Sequence, residues 1–223
     1  MLRRRTQPQG LPDFPDHVEL CGSGLPPGHW LAFESDLRRV MGFPTPKSED
    51  LVRYVFFQAL TSCGIKLEQF AFEYPHPVHD RARVDTVIVD KHCQPVVAIE
   101  VKYHRSNKSG ANLPRPQLAG MLVHDVARLA TFTPLAAERV LLYVTDHEMD
   151  HYYRNPANGL TWVTGLGPGQ STVIDNAHIG NLSATFQQAV GPWPGSVRVT
   201  VLGATDDLEG HTMRLYRIDD PEP

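Results

Sequence analysis

"VDTVIVDKHCQPVVAIEVK", residues 84–102, decides the reading of this chain. Two apolar runs flank "DKHCQP", a turn-like hexapeptide. Side chains alternate across a strand, so Glu100 and Lys102 share a face about 6.6 Å apart along the chain. Val96 and Ala98 lie on that face, and Val97, Ile99, Val101 and Tyr103 on the other. Upstream, Asp85, Val87 and Val89 share one face, and Val84, Thr86 and Ile88 the other. A hairpin centred between His92 and Cys93 pairs 85 with 100, 87 with 98 and 89 with 96. Directly opposed residues share a face. Asp85, Glu100 and Lys102 then meet at one end of a face that is otherwise apolar. A slip of one residue would separate the two carboxylates.

Two buried carboxylates repel unless a cation lies between them. Mg²⁺ suits such a pair: it takes oxygen ligands, needs one or two carboxylates, and keeps positions for water and phosphate. Mn²⁺ can take its place. Lys102 is placed to touch a phosphate or a metal-bound water, an arrangement for phosphodiester hydrolysis. The plain alternative is a sheet edge carrying an incidental Glu–Lys pair. The apolar residues preceding the charges on both strands argue against it.

The chain has 223 residues, 41% hydrophobic and 21% charged, the composition of an ordinary soluble protein. No apolar run approaches the ~20 residues that span a bilayer, so no membrane partner is expected. "MLRRRTQPQGLPDFP" is basic but has no apolar segment behind it, unlike a secretory signal. Cys21, Cys63 and Cys93 fit neither a disulfide framework nor zinc spacing, and a reducing cytoplasm is expected. The net charge is −4, yet from His79 to Arg115 seven Lys or Arg stand against four acids. Arg83, Arg105 and His104 lie in this basic region. It suits a phosphate backbone, so nucleic acid, DNA in the first place, is the expected partner.

Periodicity predicts a short helix over 30–42. A second follows from Ser48 as N-cap, with Glu49 and Asp50 in its first turn and Gly64 as its stop. "KLEQFAFEY" reads as a strand, followed by the two strands above. "PQLAGMLVHDVARLATF" reads as a helix and "RVLLYVTD" as a buried strand. "NLSATFQQAV" is predicted helical, and "SVRVTVLGA" and "MRLYRID" are predicted strands. The expected fold class is α/β: a central mixed sheet flanked by helices, with a C-terminal β-rich extension. The expected organisation is an N-terminal extension over 1–47, a core over 48–146, and a C-terminal extension over 147–223 packed on that core.

The order of elements through residue 146, with "VDTVIVDKHCQPVVAIEVK", resembles the PD-(D/E)xK nuclease superfamily, the fold of restriction endonucleases. The resemblance covers about residues 48–146. It implies a restriction endonuclease-like core and a Mg²⁺-dependent DNA endonuclease of restriction, phage defence or repair. It also implies that Asp85 and Glu100 hold the metal, with the carbonyl of Val101, and that Lys102 completes the motif. Glu49 matches a first-helix carboxylate that many members use, and Gln117 a helix-start glutamine. Val84 stands where the motif has proline. A double-strand cut with one site per chain would imply a homodimer, or work within a larger complex. The alternative is an inactive nucleic-acid- or protein-binding module of the same fold.

A second motif competes. "HEMDH", residues 147–151, matches H-E-x-x-H, in which His147 and His151 would bind zinc and Glu148 act as base. Arg154 and Ala157 stand where a third-ligand motif would need Gly and His. Asp146 would cap a helix that Pro156 stops after about two turns. Trp162 and Trp193 sit in Gly/Pro contexts and read as core anchors, with base stacking the alternative.

Overall fold

The computed structural model describes residues 24–105, 113–132 and 137–222. Residues 1–23 of the expected N-terminal extension, and the segment 106–112 with Lys108 of the basic region, lie outside the described residues. Seven strands form one mixed sheet: β1 (Phe70–Pro75), β2 (Arg83–Val89), β3 (Pro95–His104), β4 (Glu138–Asp146), β5 (Ser171–Ile174), β6 (Val197–Thr205) and β7 (His211–Ile218). Their spatial order is β1-β2-β3-β4-β7-β6-β5. Among the described residues only β3 and β4 run parallel, with a helix in the crossover between them. Helices are α1 (His29–Met41), α2 (Glu49–Ser62), α3 (Arg115–Ala130), α4 (His147–Arg154), α5 (Trp162–Gly165), α6 (Asn176–Gly180) and α7 (Ala184–Val190).

The helices cover both faces, so the central strands are apolar on both sides. On one face Phe33, Leu37, Val52 and Phe56 from α1 and α2 cover Ile99, Val101, Val140, Leu142 and Leu215. On the other, α3 and α7 lay Leu122, Val126 and Phe186 over Ala98, Leu141, Tyr143 and Tyr216. Successive residues of β3, β4 and β7 thus feed opposite cores, as the period of two demands. Ser48 caps α2, its Oγ accepting from Leu51 N–H at 3.2 Å. Asp146 caps α4 through Met149 N–H at 3.0 Å.

Three expectations need correction. Residues 67–69 form a 3-10 turn, so the strand predicted for "KLEQFAFEY" starts only at Phe70. The β2–β3 hairpin pairs Val87 with Ala98, but a bulge after Ile88 sets Val89 against Pro95 rather than Val96. The bulge arises at the turn, where Cys93 takes φ 58 and Asp90 Oδ1 accepts from both His92 and Gln94 N–H. Third, α5 falls in the Gly/Pro context of Trp162, and β5 and α6 fall at 171–174 and 176–180, where no element is expected. The C-terminal residues also add three strands to the same sheet, with β7 hydrogen-bonded directly to β4.

Close approach of α3 to α7 requires Gly120, where an added Cβ would meet the Phe186 carbonyl oxygen at 2.6 Å and Ala189 Cβ at 2.6 Å. Helix propensity alone would make Gly120→Ala favourable by about 1 kcal/mol. The backbone clash outweighs it, as overpacking costs about 1–3 kcal/mol. Urea unfolding of Gly120→Ala should therefore show net destabilisation; a stabilised variant would show that α3 and α7 can part freely.

Candidate active site

The last paired residues of the β2–β3 hairpin toward the open end are Thr86 and Ile99; beyond them the strands part. At the same level Glu73 of β1 turns to φ 49, and its pairing opposite Asp85 is interrupted. Asp85 therefore leaves the strict alternation expected of it. Val84 joins Val87 in the core beneath α3, while the Asp85 carboxylate reaches into the fork between β2 and β3. Its Oδ2 accepts from Val101 N–H at 2.9 Å, and its Oδ1 meets Arg53 of α2 at 3.0 Å. The N–H and C=O of one strand residue point to the same side, so the Val101 carbonyl faces the fork as well.

Glu100 and Lys102 stand on the α3 side of β3. Glu100 is 2% exposed and pairs with Arg128 of α3. Arg128 also holds Asp125 Oδ1 at 3.1 Å and donates to the Arg83 carbonyl. Asp125 Oδ2 holds the Lys102 ammonium at 3.2 Å. From above, the first turn of α2 sets Glu49 Oε2 on Tyr103 N–H at 3.2 Å and 3.9 Å from Lys102 Nζ. Arg53, one turn later, lies 3.6 Å from Glu49.

These contacts form one chain of alternating sign: Asp85–Arg53–Glu49–Lys102–Asp125–Arg128–Glu100. Both of its ends are carboxylates, the two expected to pair at 85 and 100, although the strands part before that level. Four carboxylates against three cations leave one negative charge in excess. Burial pushes the Glu100 carboxyl well above its usual range, and the charges of Asp85 and Asp125 add to this; Arg128 and Lys102 pull it back without cancelling. Burial also raises Glu49, with Asp85 adding and Lys102, the Tyr103 N–H and Arg53 opposing. Burial disfavours the Lys102 ammonium, but Asp125, Glu49 and Glu100 outweigh it and hold the proton above the ordinary lysine range. Lys102 is thus a fixed positive charge rather than a base.

The donor set suits a hard divalent cation in kind and in charge: oxygen ligands, a net negative balance, and two acidic ends flanking a backbone carbonyl. Among the described residues, no three ligating side chains converge on one point; the carboxylates turn instead to Arg53, Lys102 and Arg128. Uptake of a cation would require Asp85 and Glu100 to share or release their guanidinium partners.

Asp85, Glu100, Val101, Lys102 and Glu49 are thus brought together. Gln117 is not: it lies on the same stripe of α3 as Asp125 but two turns earlier, about 12 Å along the axis. Arg83 is exposed and donates to the Glu73 carbonyl at 2.8 Å, and Arg105 is exposed just past β3. His104 needs correction as a phosphate contact. It is buried against Tyr143, with its Nδ1 at 3.3 Å from the Tyr143 hydroxyl, and burial, reinforced by Lys102, lowers its pKa to about 3. It is a neutral core histidine because β3 runs four residues beyond Glu100 and carries it under α4.

Sequence reasoning missed Arg53, Asp125 and Arg128. Their signals were present. Arg53 is four residues after Glu49 on one helix, the spacing of an ion pair. Asp125 interrupts the apolar run Leu122, Val123, Val126, Leu129, where a carboxylate needs a partner. In α4, His147, Glu148 and His151 are exposed, and Glu148 pairs with Arg115 at 3.2 Å. Trp162 is buried in the α3-side core, and Trp193 donates to the Ile174 carbonyl at 3.3 Å. No helix among the described residues is long and apolar enough to cross a membrane.

No family model, curated protein or solved structure matches this chain.

Removing Arg128 leaves Glu100 buried without its partner, a change that costs about 3–5 kcal/mol in buried pairs; Arg128 is partly exposed, so about 2–3 kcal/mol is expected. Arg128→Met should lose that stability at pH 8 and regain much of it near pH 5, where Glu100 takes a proton. Adding Glu100→Gln should restore stability at pH 8. Thermal unfolding at the two pH values checks this, and a pH-independent loss would exclude Glu100 as the group left behind.

Proposed function

We propose that the chain is a metal-dependent nuclease that hydrolyses DNA phosphodiester bonds, built on a restriction endonuclease-like core. One observation carries the reading: Glu49, Asp85, Glu100, Lys102 and the Val101 backbone, from two strands and a helix, are linked around the fork of β2 and β3 by one chain of ion pairs and hydrogen bonds. Asp85, Glu100 and the Val101 carbonyl would hold Mg²⁺ or Mn²⁺, with Glu49 beside them. The ion, when bound, supplies a water of lowered pKa and neutralises charge on the phosphate.

The chain's own groups do the rest. Lys102, kept protonated by its three carboxylates, presents a positive charge to the phosphate oxygens as negative charge develops. Asp125 positions Lys102 through the 3.2 Å ion pair. Arg53 and Arg128 hold the carboxylates apart before substrate arrives. Both then become available to phosphate, for which a guanidinium is well suited.

The second reading, an inactive module of the same architecture, is favoured by the guanidinium partners that Asp85 and Glu100 already have. Metal uptake separates the two. For Glu100 and Glu49 the folded-state pKa is raised, so their protonated forms favour folding at low pH. That contribution is lost as pH rises from the ordinary carboxylate range through the raised values. A divalent cation needs the ionised forms and displaces the protons. Stabilisation by Mg²⁺ should therefore grow with pH between 5 and 8 in thermal unfolding. No stabilisation at any pH would favour the inactive module.

Plasmid cleavage tests the activity directly. Nicking or linearisation is expected in Mg²⁺ or Mn²⁺ and not in EDTA. Asp85→Asn and Lys102→Ala, with unchanged circular dichroism, should each lose about 100- to 1,000-fold in rate. Full activity in both variants would sink the nuclease reading.

A further inference from the structure

The candidate site opens at one end into a groove of about 440 Å³ between α2 and β1. Arg53, Glu73 and Asp85 line both the groove and the site's border. Asp50, Tyr54, Phe57 and Thr61 recur every three or four residues and form one outward stripe of α2 along it. Across from them stand Phe70 and Phe72 of β1.

Three features set this groove apart from an ordinary surface. Its walls are aromatic and open: Tyr54 is 70% exposed and Phe72 50%. The Phe70 and Phe72 rings lie nearly parallel, 9° apart with centroids at 6.0 Å, and Phe57 meets Phe72 edge-on at 4.8 Å. Its polar end is acidic, with the Asp50 and Glu73 side chains 74% and 58% exposed around Arg53.

That chemistry selects an occupant. Carboxylates at the rim repel phosphate, so a nucleic-acid backbone does not lie in the groove. They accept hydrogen bonds from the exocyclic amines of bases, and flat aromatic walls hold a base by its π-face. Anionic lipid is disfavoured by the same acidic rim. A peptide strand is disfavoured because β1, though an edge strand, is interrupted at Glu73 with φ 49.

We propose that the α2–β1 groove is a stacking subsite for an unpaired nucleobase next to the phosphodiester at the candidate site. The inference rests on the nuclease reading and deepens it: the substrate is DNA with an unpaired base beside the scissile phosphate, whether single-stranded, frayed or opened locally in a supercoiled plasmid, rather than relaxed duplex.

The test uses the full chain and a Tyr54→Ala/Phe72→Ser double variant, both positions being exposed. The probes are a single-stranded DNA oligonucleotide carrying 2-aminopurine, its duplex, and the same strand with single abasic positions. Wild type should quench the unpaired 2-aminopurine in EDTA and bind the duplex more weakly. The double variant, still folded by circular dichroism, should bind the single strand about 10- to 100-fold more weakly. One abasic position should cost wild type a similar factor and cost the variant nothing further. Equal loss at that position in both proteins would overturn the subsite. So would a concentration-dependent dimer that the variant abolishes without any change in oligonucleotide binding. Cleavage that ignores the groove removes the subsite alone. Groove-dependent binding with no cleavage in any metal removes the nuclease reading alone.

Discussion

The burial of Glu100 governs this site. A carboxylate 2% exposed on a central strand loses its hydration and must be compensated. Arg128 does so from α3, and the guanidinium then needs Asp125 to hold it. Asp125 in turn holds Lys102, and Glu49 closes the approach from α2. Each group is placed by the charge of the one before it. The result is a polar seam between two apolar cores, one beneath α3 and one beneath α2. Such a seam contributes less stability than apolar packing of similar volume, which points to a role beyond folding.

The seam can exist because β2 and β3 part where they do. In a fully paired hairpin, Val101 N–H would bond to β2 backbone and the Asp85 carboxylate would have no place in the sheet plane. The irregular Glu73 on β1 and the end of pairing at Thr86–Ile99 open the fork. Asp85 then takes the N–H that the backbone of β2 has given up. The same fork leaves the Val101 carbonyl facing Asp85 and exposes the acidic end of the α2–β1 groove. The site and the groove are two consequences of one departure from regular pairing.

Charge is divided along this surface. The exposed Arg83 and Arg105 offer positive charge beside a site whose own balance is negative, whereas Asp50 and Glu73 make the groove rim negative. A strand of nucleic acid placed across the fork would set its phosphates against the first and a base into the second. The overall charge of −4 conceals this division.

The sequence alone determined the α/β class, the α2 cap at Ser48 and the helix–strand order through β4. It did so because these depend on local periods and caps. It also brought Asp85, Glu100 and Lys102 to one end of a hairpin, since the two-residue period and a turn of known place leave few registers. Tertiary structure decided the rest. The bulge after Ile88 and the detour of Asp85 depend on backbone conformations at Cys93 and Glu73 that ordinary residues rarely adopt. His104 reads as part of a phosphate-facing basic region until β3 is seen to carry it into the core against Tyr143. Arg53 lies 32 residues from Asp85, Asp125 23 from Lys102 and Arg128 28 from Glu100, and no local pattern reaches across such separations. Which cation answers a buried carboxylate is settled by packing α2 and α3 on opposite faces of one sheet, and no periodicity records that choice.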